Sequence, residues 1–154
     1  MSIVDRPPYV GALLRLCLGQ VRGRMLEAIR AAGFTDLQDA HLAIFSYPLP
    51  DGTKPSELAR RIGMSRQATN HLIAQLEVLG YVERRAPEGG SRRLVHLTGR
   101  GWQVGRVIIA CLQQIQADWT EQIGPERFAD FLDVLRLLAA EESGPAQTSG
   151  RPST

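Results

Sequence analysis

The sequence predicts a mainly α fold with a small β-hairpin wing, in which a winged helix-turn-helix lobe is carried between longer helices. Three observations predict it. Two short helix patterns, 55–62 and 66–79, meet at a tight Gly63-Met64 turn, with Ser65 placed to cap the second. Two stretches of β character, 81–85 and 92–97, flank Ala86-Pro-Glu-Gly-Gly-Ser91, whose proline and paired glycines mark a hairpin loop. On either side run longer segments with apolar residues at the i, i+3, i+4, i+7 spacing of amphipathic helices.

Each element has its own signal. After Pro7-Pro8, a long helix over Val10–Ala32 places Val10, Leu13, Leu14, Cys17, Leu18, Val21, Met25, Ala28, Ile29 and Ala32 on one stripe, and Gly33 stops it. Leu16 and Leu26 lie off that stripe, so the helix has more apolar surface than one neighbour covers. A second helix is expected from Leu37 to Tyr47, capped by Thr35 or Asp36 and broken by Pro48-Leu-Pro50-Asp51-Gly52. Pro55 opens the next helix in its first turn and Gly63 ends it. Gly80 closes the helix over 66–79 as a left-handed C-cap, with Tyr81 in the apolar position behind it. Thr98 caps a helix from about Gly99 to Trp119, with Val104, Val107, Ile108, Cys111, Leu112, Ile115 and Trp119 on one face. Gly124-Pro125 starts the last helix, which carries Phe128, Phe131, Leu132, Leu135 and Leu138 and ends near Glu142. The organisation is therefore an N-terminal helix over 1–34, a lobe over 35–101, C-terminal helices over 102–142 and a tail over 143–154 without large apolar residues, expected to be disordered.

Composition excludes several classes. With 154 residues, 44% apolar and 22% charged, the chain suits one compact soluble domain. No stretch approaches the roughly 18 uncharged apolar residues of a membrane span, and no signal-peptide hydrophobic run follows the N-terminus, so a cytoplasmic location and no membrane partner are expected. Cys17 and Cys111 sit in apolar sequence and read as buried thiols, too few for a disulfide framework or a zinc site. His41, His71 and His96 are far apart, without metal-ligand spacing. No Gly-rich phosphate loop and no nucleophile elbow is present, so the chain is not expected to be an enzyme or to hold a cofactor.

The formal charge of +2 hides a division. Residues 54–106 carry a net +6 and the remainder −4, the footprint of a phosphate-binding surface between acidic ends. Of the 18 basic residues, Lys54 is the single lysine, and arginine's planar fork suits phosphates and guanine edges. On a wheel, the helix over 66–79 turns Ala68, Leu72, Leu76 and Leu79 to the core. It turns Arg66, Gln67, Asn70, Ala74 and Glu77 outward, with Thr69 and His71 at the flank. Such side chains at the N-terminal end of a recognition helix reach base edges, Gln and Asn toward adenine and Arg toward guanine. The Ser65 hydroxyl and the helix N-terminus can take a phosphate. The hairpin adds Arg84, Arg85, Arg92 and Arg93 around a Gly89-Gly90 tip suited to the minor groove. The block reads as a reader of double-stranded DNA.

Three segments carry a resemblance. Leu58-Ala-Arg-Arg-Ile-Gly-Met-Ser-Arg-Gln-Ala-Thr69, Leu76-Glu-Val-Leu-Gly-Tyr-Val-Glu-Arg-Arg85 and Leu97-Thr-Gly-Arg-Gly101 resemble the MarR family of bacterial winged helix-turn-helix regulators, over about residues 10–140. The resemblance implies a transcriptional regulator, a repressor released by a small effector. Ser65, Arg66, Gln67, Thr69 and Asn70 would contact the major groove and Arg92, or Arg93 after it, the minor groove. The wing departs from the family pattern, because Glu88-Gly-Gly-Ser-Arg92 lacks the aspartate of the usual tip and is about two residues short. The full set expected to meet DNA is Lys54, Ser65, Arg66, Gln67, Thr69, Asn70, His71, Arg85, Arg92 and Arg93.

The same resemblance implies a homodimer joined through the terminal helices 1–34 and 102–142. Off-stripe Leu16, Leu26, Ile109 and the Phe128, Phe131, Leu135 face suit a partner chain or an intrachain core equally. It also implies a pocket for a small, often aromatic, anion, with His41 and Phe45 as lining candidates. Two alternatives stay open. One is peroxide sensing through Cys17, since relatives of that kind carry a reactive cysteine in the first helix; the other is a winged-helix protein-interaction module that does not read DNA.

Overall fold

The chain begins with a single 3₁₀ turn, η1 (Ile3–Asp5), before the first long helix, α1 (Val10–Ala31). The computed structural model describes residues 2–141, so the tail over 143–154 and the expected helix end near Glu142 lie outside the described residues. A 3₁₀ helix η2 (Asp39–Phe45) and a short strand β1 (Asp51–Thr53) follow, then α2 (Pro55–Ile62) and α3 (Arg66–Val78). Strands β2 (Val82–Arg85) and β3 (Leu94–Leu97) form the hairpin, and α4 (Gly99–Ile123) and α5 (Pro125–Glu141) complete the fold. The sheet is antiparallel in the order β1-β3-β2, with Val82 opposite Leu97 and Arg85 opposite Leu94. This is the mainly α, winged architecture that the sequence predicts.

Local chemistry places most boundaries. The Ser65 side chain accepts from the Ala68 N–H at 3.1 Å, which satisfies one of the free donors at the start of α3. At its other end, the Tyr81 N–H bonds to the Leu76 carbonyl at 2.9 Å and the Gly80 N–H to Glu77 at 3.0 Å. That pair of bonds is a Schellman cap, and it requires the left-handed φ of +83° that Gly80 adopts without a Cβ clash. Phe34 and Met64 close α1 and α2 with the same backward bond, to Ile29 and Ala59.

Three expectations need correction. The second helix is shorter than Leu37–Tyr47 and is 3₁₀, because His41 with Ile44 and Leu42 with Phe45 are all buried as i, i+3 pairs, the spacing at which a 3₁₀ helix aligns side chains. Its cap position is Gln38, not Thr35 or Asp36, and the Gln38 N–H donates to His41 Nδ1 at 3.0 Å. The third strand, β1, is unannounced by the sequence: Asp-Gly-Thr has no alternation, and it becomes a strand only by pairing Asp51 with His96 and Thr53 with Val95.

By its internal contacts the chain divides within α4 into two compact units, residues 1–113 and residues from 114 onward. The core of the first unit joins Met25 and Ile29 of α1 to Leu42, Ile44 and Phe45, to Leu72, Ile73 and Leu76, and to Val95, Leu97 and Val104. The C-terminal half of α1 is thus part of the lobe. Its N-terminal half is not: Val10, Leu13, Leu14 and Leu18 are exposed although they lie on the stripe, and so are Leu16 and Cys17, while off-stripe Leu26 packs on the core. Cys17 is therefore no buried thiol. In the second unit Phe128 is buried between Trp119 and Phe131, with ring centroids 6.5 and 6.0 Å away, and Val134, Leu137 and Leu138 are the exposed apolar residues of α5.

A polar node locks the lobe together. The buried Tyr81 donates its hydroxyl to Asp36 Oδ1, and Arg100 donates to Asp36 Oδ2 at 3.2 Å and to the Leu79 carbonyl at the end of α3. The Arg100 guanidinium also lies 4.2 Å from the Tyr81 ring centroid, within cation–π range. The hydroxyl bond from Tyr81, helped by the charge of Arg100, holds the Asp36 carboxyl below its usual range, and burial with the Asp36 bond pushes the Tyr81 phenol up.

Tyr81→Phe is expected to destabilise the chain by about 1.5–3 kcal/mol, the range for a hydrogen bond to a charged group, seen as a Tm lower by several degrees. Because Asp36 has its pKa lowered by folding, its contribution is complete above the unfolded carboxylate value of about 4 and is lost as pH falls through the folded value. Asp36→Asn should therefore flatten the acid side of the stability–pH curve, and an unchanged acid limb would remove Asp36 from this role.

Candidate nucleic-acid interface

The exposed N-terminal turn of α3 carries Ser65, Arg66 and Gln67, and neither Arg66 nor Gln67 has a side-chain partner among the described residues. Thr69 does not join them. It is fully buried and its hydroxyl donates to the Ser65 carbonyl at 2.9 Å, so the position expected to touch the major groove is a core residue that braces the cap. Half-buried Asn70 and exposed His71 follow on the next turn, where each is held from behind. Gln75 links His71 Nε2, at 3.1 Å, to His41 Nε2, at 2.9 Å.

The wing is tied to this helix by one side chain. Arg84 of β2 donates from Nε to Glu77 at 2.8 Å, from Nη1 to Asn70 Oδ1 at 3.2 Å and from Nη2 to the Asn70 carbonyl at 3.4 Å. Glu77, which the wheel turns outward, and Arg84, which the sequence places on the hairpin beside this helix, are together the clamp between helix and hairpin. Arg85 pairs with Glu83 at 2.9 Å. Beyond β2, Pro87 accepts from the Gly90 N–H at 2.9 Å in a turn that places Glu88 at the tip. Arg92 and Arg93 are exposed on the returning arm, outside the strand that begins at Leu94, and have no acidic partner among the described residues.

Ion pairing sorts the basic block. Glu57 lies against Arg60 and Arg61, and its bonds with Arg60 first, then the charges of both arginines, hold its carboxyl below the usual range. Arg100 is bound to Asp36. Among the described residues of the block, Lys54 at the start of α2, Arg66, Arg92, Arg93 and Arg106 are left without an ion pair, a set that includes four residues the sequence assigns to DNA.

The two lining candidates part company. His41 is buried and lines a cleft of about 320 Å³ with Asp36, Gln38, Gln75, Val78 and Leu79. Phe45 lines a different cleft of about 410 Å³ with Met25, Leu42, Ile108, Arg22 and Arg61. Cys111 is half-buried, and burial pushes its thiol up, which disfavours the reactive thiolate. Among the described residues, no group of three or more His, Cys, Asp or Glu could hold a metal ion, and no helix is long and apolar enough to cross a membrane.

A helix-turn-helix with a capped, polar second helix, a three-stranded sheet and a hairpin clamped to that helix define a winged helix-turn-helix lobe. Residues 36–93 match the MarR family model. The fold is shared with solved MarR family structures. One is a Mycobacterium tuberculosis MarR family protein in complex with salicylic acid, with a TM-score of 0.61 and 26% identity over 88% of this chain and 99% of that one. Another is CouR from Rhodococcus jostii RHA1 bound to p-coumaroyl-CoA, with a TM-score of 0.65 and 20% identity over 84% and 91%. A third is the PcaV transcriptional regulator of Streptomyces coelicolor with its natural ligand, with a TM-score of 0.59 and 21% identity over 91% and 98%. No curated protein sequence matches significantly. Residues 36–93 are thus similar to the MarR family, and the chain has the fold of solved MarR family transcriptional regulators.

Glu77→Ala should release the wing from α3 at a cost of about 1 kcal/mol, typical of a partly exposed pair. The sign to look for is faster amide hydrogen exchange across β2 and β3 with α1 unaffected; uniform exchange would show that Glu77 does not hold the hairpin.

Proposed function

We propose that this protein is a transcriptional regulator that binds double-stranded DNA sequence-specifically as a homodimer on a pseudo-palindromic operator, acting in the cytoplasm as a repressor released by a small aromatic anion. The observation that carries this reading is the Arg84 clamp. It joins the wing to an exposed recognition turn, and basic residues without acidic partners stand on both elements, Arg66 on α3 and Arg92 and Arg93 on the wing. Phosphates would take Lys54, Arg92 and Arg93, and bases would be read from Arg66, Gln67, Asn70 and His71.

The dimer is supported by apolar surface that the chain leaves open. Ile3 and Val4 of η1, Tyr9 at the cap of α1, and Val10, Leu13, Leu14, Leu16 and Leu18 of its first half are all exposed, more than a solitary soluble chain keeps in one stretch. The effector reading is supported by the cleft at Phe45, whose apolar wall suits an aromatic ring and whose Arg22 and Arg61, paired with Asp39 and Glu57, could exchange those carboxylates for that of a ligand. Salicylic acid, the ligand of one protein of this fold, is an aromatic carboxylate, and p-coumaroyl-CoA, the ligand of another, joins an aromatic ring to anionic phosphates.

Fluorescence anisotropy on duplexes from the DNA upstream of its own gene should show binding that falls linearly in log K against log salt, by about 0.9 per phosphate neutralised. Arg92→Ala should weaken all duplexes by a similar factor and flatten that slope by about one, whereas Gln67→Ala should cost roughly 1–3 kcal/mol at one base position. The absence of salt-sensitive binding would replace this reading with a protein-interaction module. Light scattering should give twice the chain mass, and the double variant Leu14→Glu, Leu16→Glu should be monomeric and lose operator binding; a wild-type monomer refutes the dimer.

A further inference from the structure

We propose that α3 presents hydrogen-bond donors at Asn70 and His71, so that these positions read the keto groups of guanine and thymine and reject the amino group of adenine. This rests on the DNA-binding reading above and goes further, because it fixes the sense of two side chains whose chemistry alone leaves it open.

An asparagine amide has an oxygen that accepts and a nitrogen that donates, and its surroundings decide which faces where. Here the surroundings permit one answer. The guanidinium of Arg84 has donors only, and two of its nitrogens reach Asn70, Nη1 at 3.2 Å from Oδ1 and Nη2 at 3.4 Å from the backbone carbonyl. Turning the amide over would set N–H against N–H. Arg84 cannot swing aside without giving up its 2.8 Å bond to Glu77. Asn70 Nδ2 therefore points away from Arg84, with no partner among the described residues. It is not among the side-chain atoms buried without a partner, so it reaches solvent. The bidentate adenine contact needs the oxygen and nitrogen of the amide side by side toward the base. With Oδ1 turned back to the wing that edge is gone, and what remains is a donor that, set against the major-groove position of guanine O6 or thymine O4, finds an acceptor there and meets the N6 amino group where the base is adenine.

His71 reaches the same sense by a separate route. The Gln38 backbone N–H can only donate, and it donates to His41 Nδ1 at 3.0 Å. The His41 proton is then on Nε2, which donates to Gln75 Oε1 at 2.9 Å. Gln75 therefore offers Nε2 to His71 Nε2 at 3.1 Å, and neutral His71 carries its proton on Nδ1, again a donor. Each direction follows from the previous one, and the chain starts at a backbone group that cannot reverse.

Selection of duplexes from a randomised pool tests this. At the base position whose preference vanishes in Asn70→Ala, the wild-type protein is expected to favour guanine or thymine over adenine by roughly three- to ten-fold, the worth of one net hydrogen bond. Asn70→Asp keeps an oxygen for Arg84 but has no donor, so preference at that position should invert toward the amino bases adenine and cytosine. A role in clamping the wing alone would leave the preference unmoved. If Asn70→Asp does not fold, Arg84→Met frees the amide to turn and should add adenine to the accepted bases. Adenine preferred by the wild type, no position that depends on Asn70, or unaltered preference in Asn70→Asp or, where that variant does not fold, in Arg84→Met overturns the proposal. A wild-type protein without sequence preference anywhere overturns the DNA-binding reading itself.

Discussion

The hydrogen bond from the Tyr81 hydroxyl to the Asp36 carboxylate, closed from the side by Arg100, is the constraint on which the lobe depends. It brings together the loop after α1, the end of α3 and the start of α4. A carboxylate and a guanidinium withdrawn partly from water cost desolvation, which is offset here because each has further partners. Arg100 also takes the Leu79 carbonyl, one of the acceptors that every helix end leaves open, and covers the Tyr81 ring. Around the node the backbone is tight. Thr98 accepts from the Gly101 N–H at 3.1 Å and donates to Gly80, and a Cβ on Gly101 would stand 2.1 Å from the Tyr81 carbonyl oxygen. The Leu97-Thr-Gly-Arg-Gly101 segment is therefore structural: Thr98 caps α4 and ties it to Gly80, Arg100 holds the node, and Gly101 permits the close approach.

The node has a consequence for the charge of the lobe. Arg100 counts toward the basic block in sequence but is paired with Asp36, Arg84 is paired with Glu77 and Arg85 with Glu83, while Arg60 and Arg61 share the single charge of Glu57. Acidic residues of the block are thus spent on scaffolding. The cations that stay free are fewer than the +6 implies, and they stand at the start of α2, on the first turn of α3, on the returning arm of the wing and on α4.

Most of the fold was legible because its signals are local. Ser65, Gly80, Pro55 and Gly63 act on backbone groups within a few residues, and the helices they bound are found within a residue or two of where the pattern puts them. The second helix starts later than its sequence signals because Asp36, a good cap by type, is claimed by Tyr81, 45 residues away, and Gln38 caps in its place. A wheel gives Thr69, at the flank of α3, no preferred side, and burial against the core rather than the groove decides its place. Along α1, periodicity shows an apolar stripe but not what covers it, and only its second half meets this chain's own core.

By itself, then, the sequence determined the helix-turn-helix, the hairpin, the basic block and the exposed Arg66 and Gln67, all of which follow from caps, turns, periodicity and charge read over short spans. Tertiary structure alone decided which side chains on that surface are free and which way they face. Arg84 reaches Asn70 and Glu77 from the next element, and Gln38, His41, Gln75 and His71 align across two helices. The reason is physical: a cap needs a neighbour a few residues away, whereas the sense of an amide or an imidazole is set by whichever donor or acceptor folding brings against it.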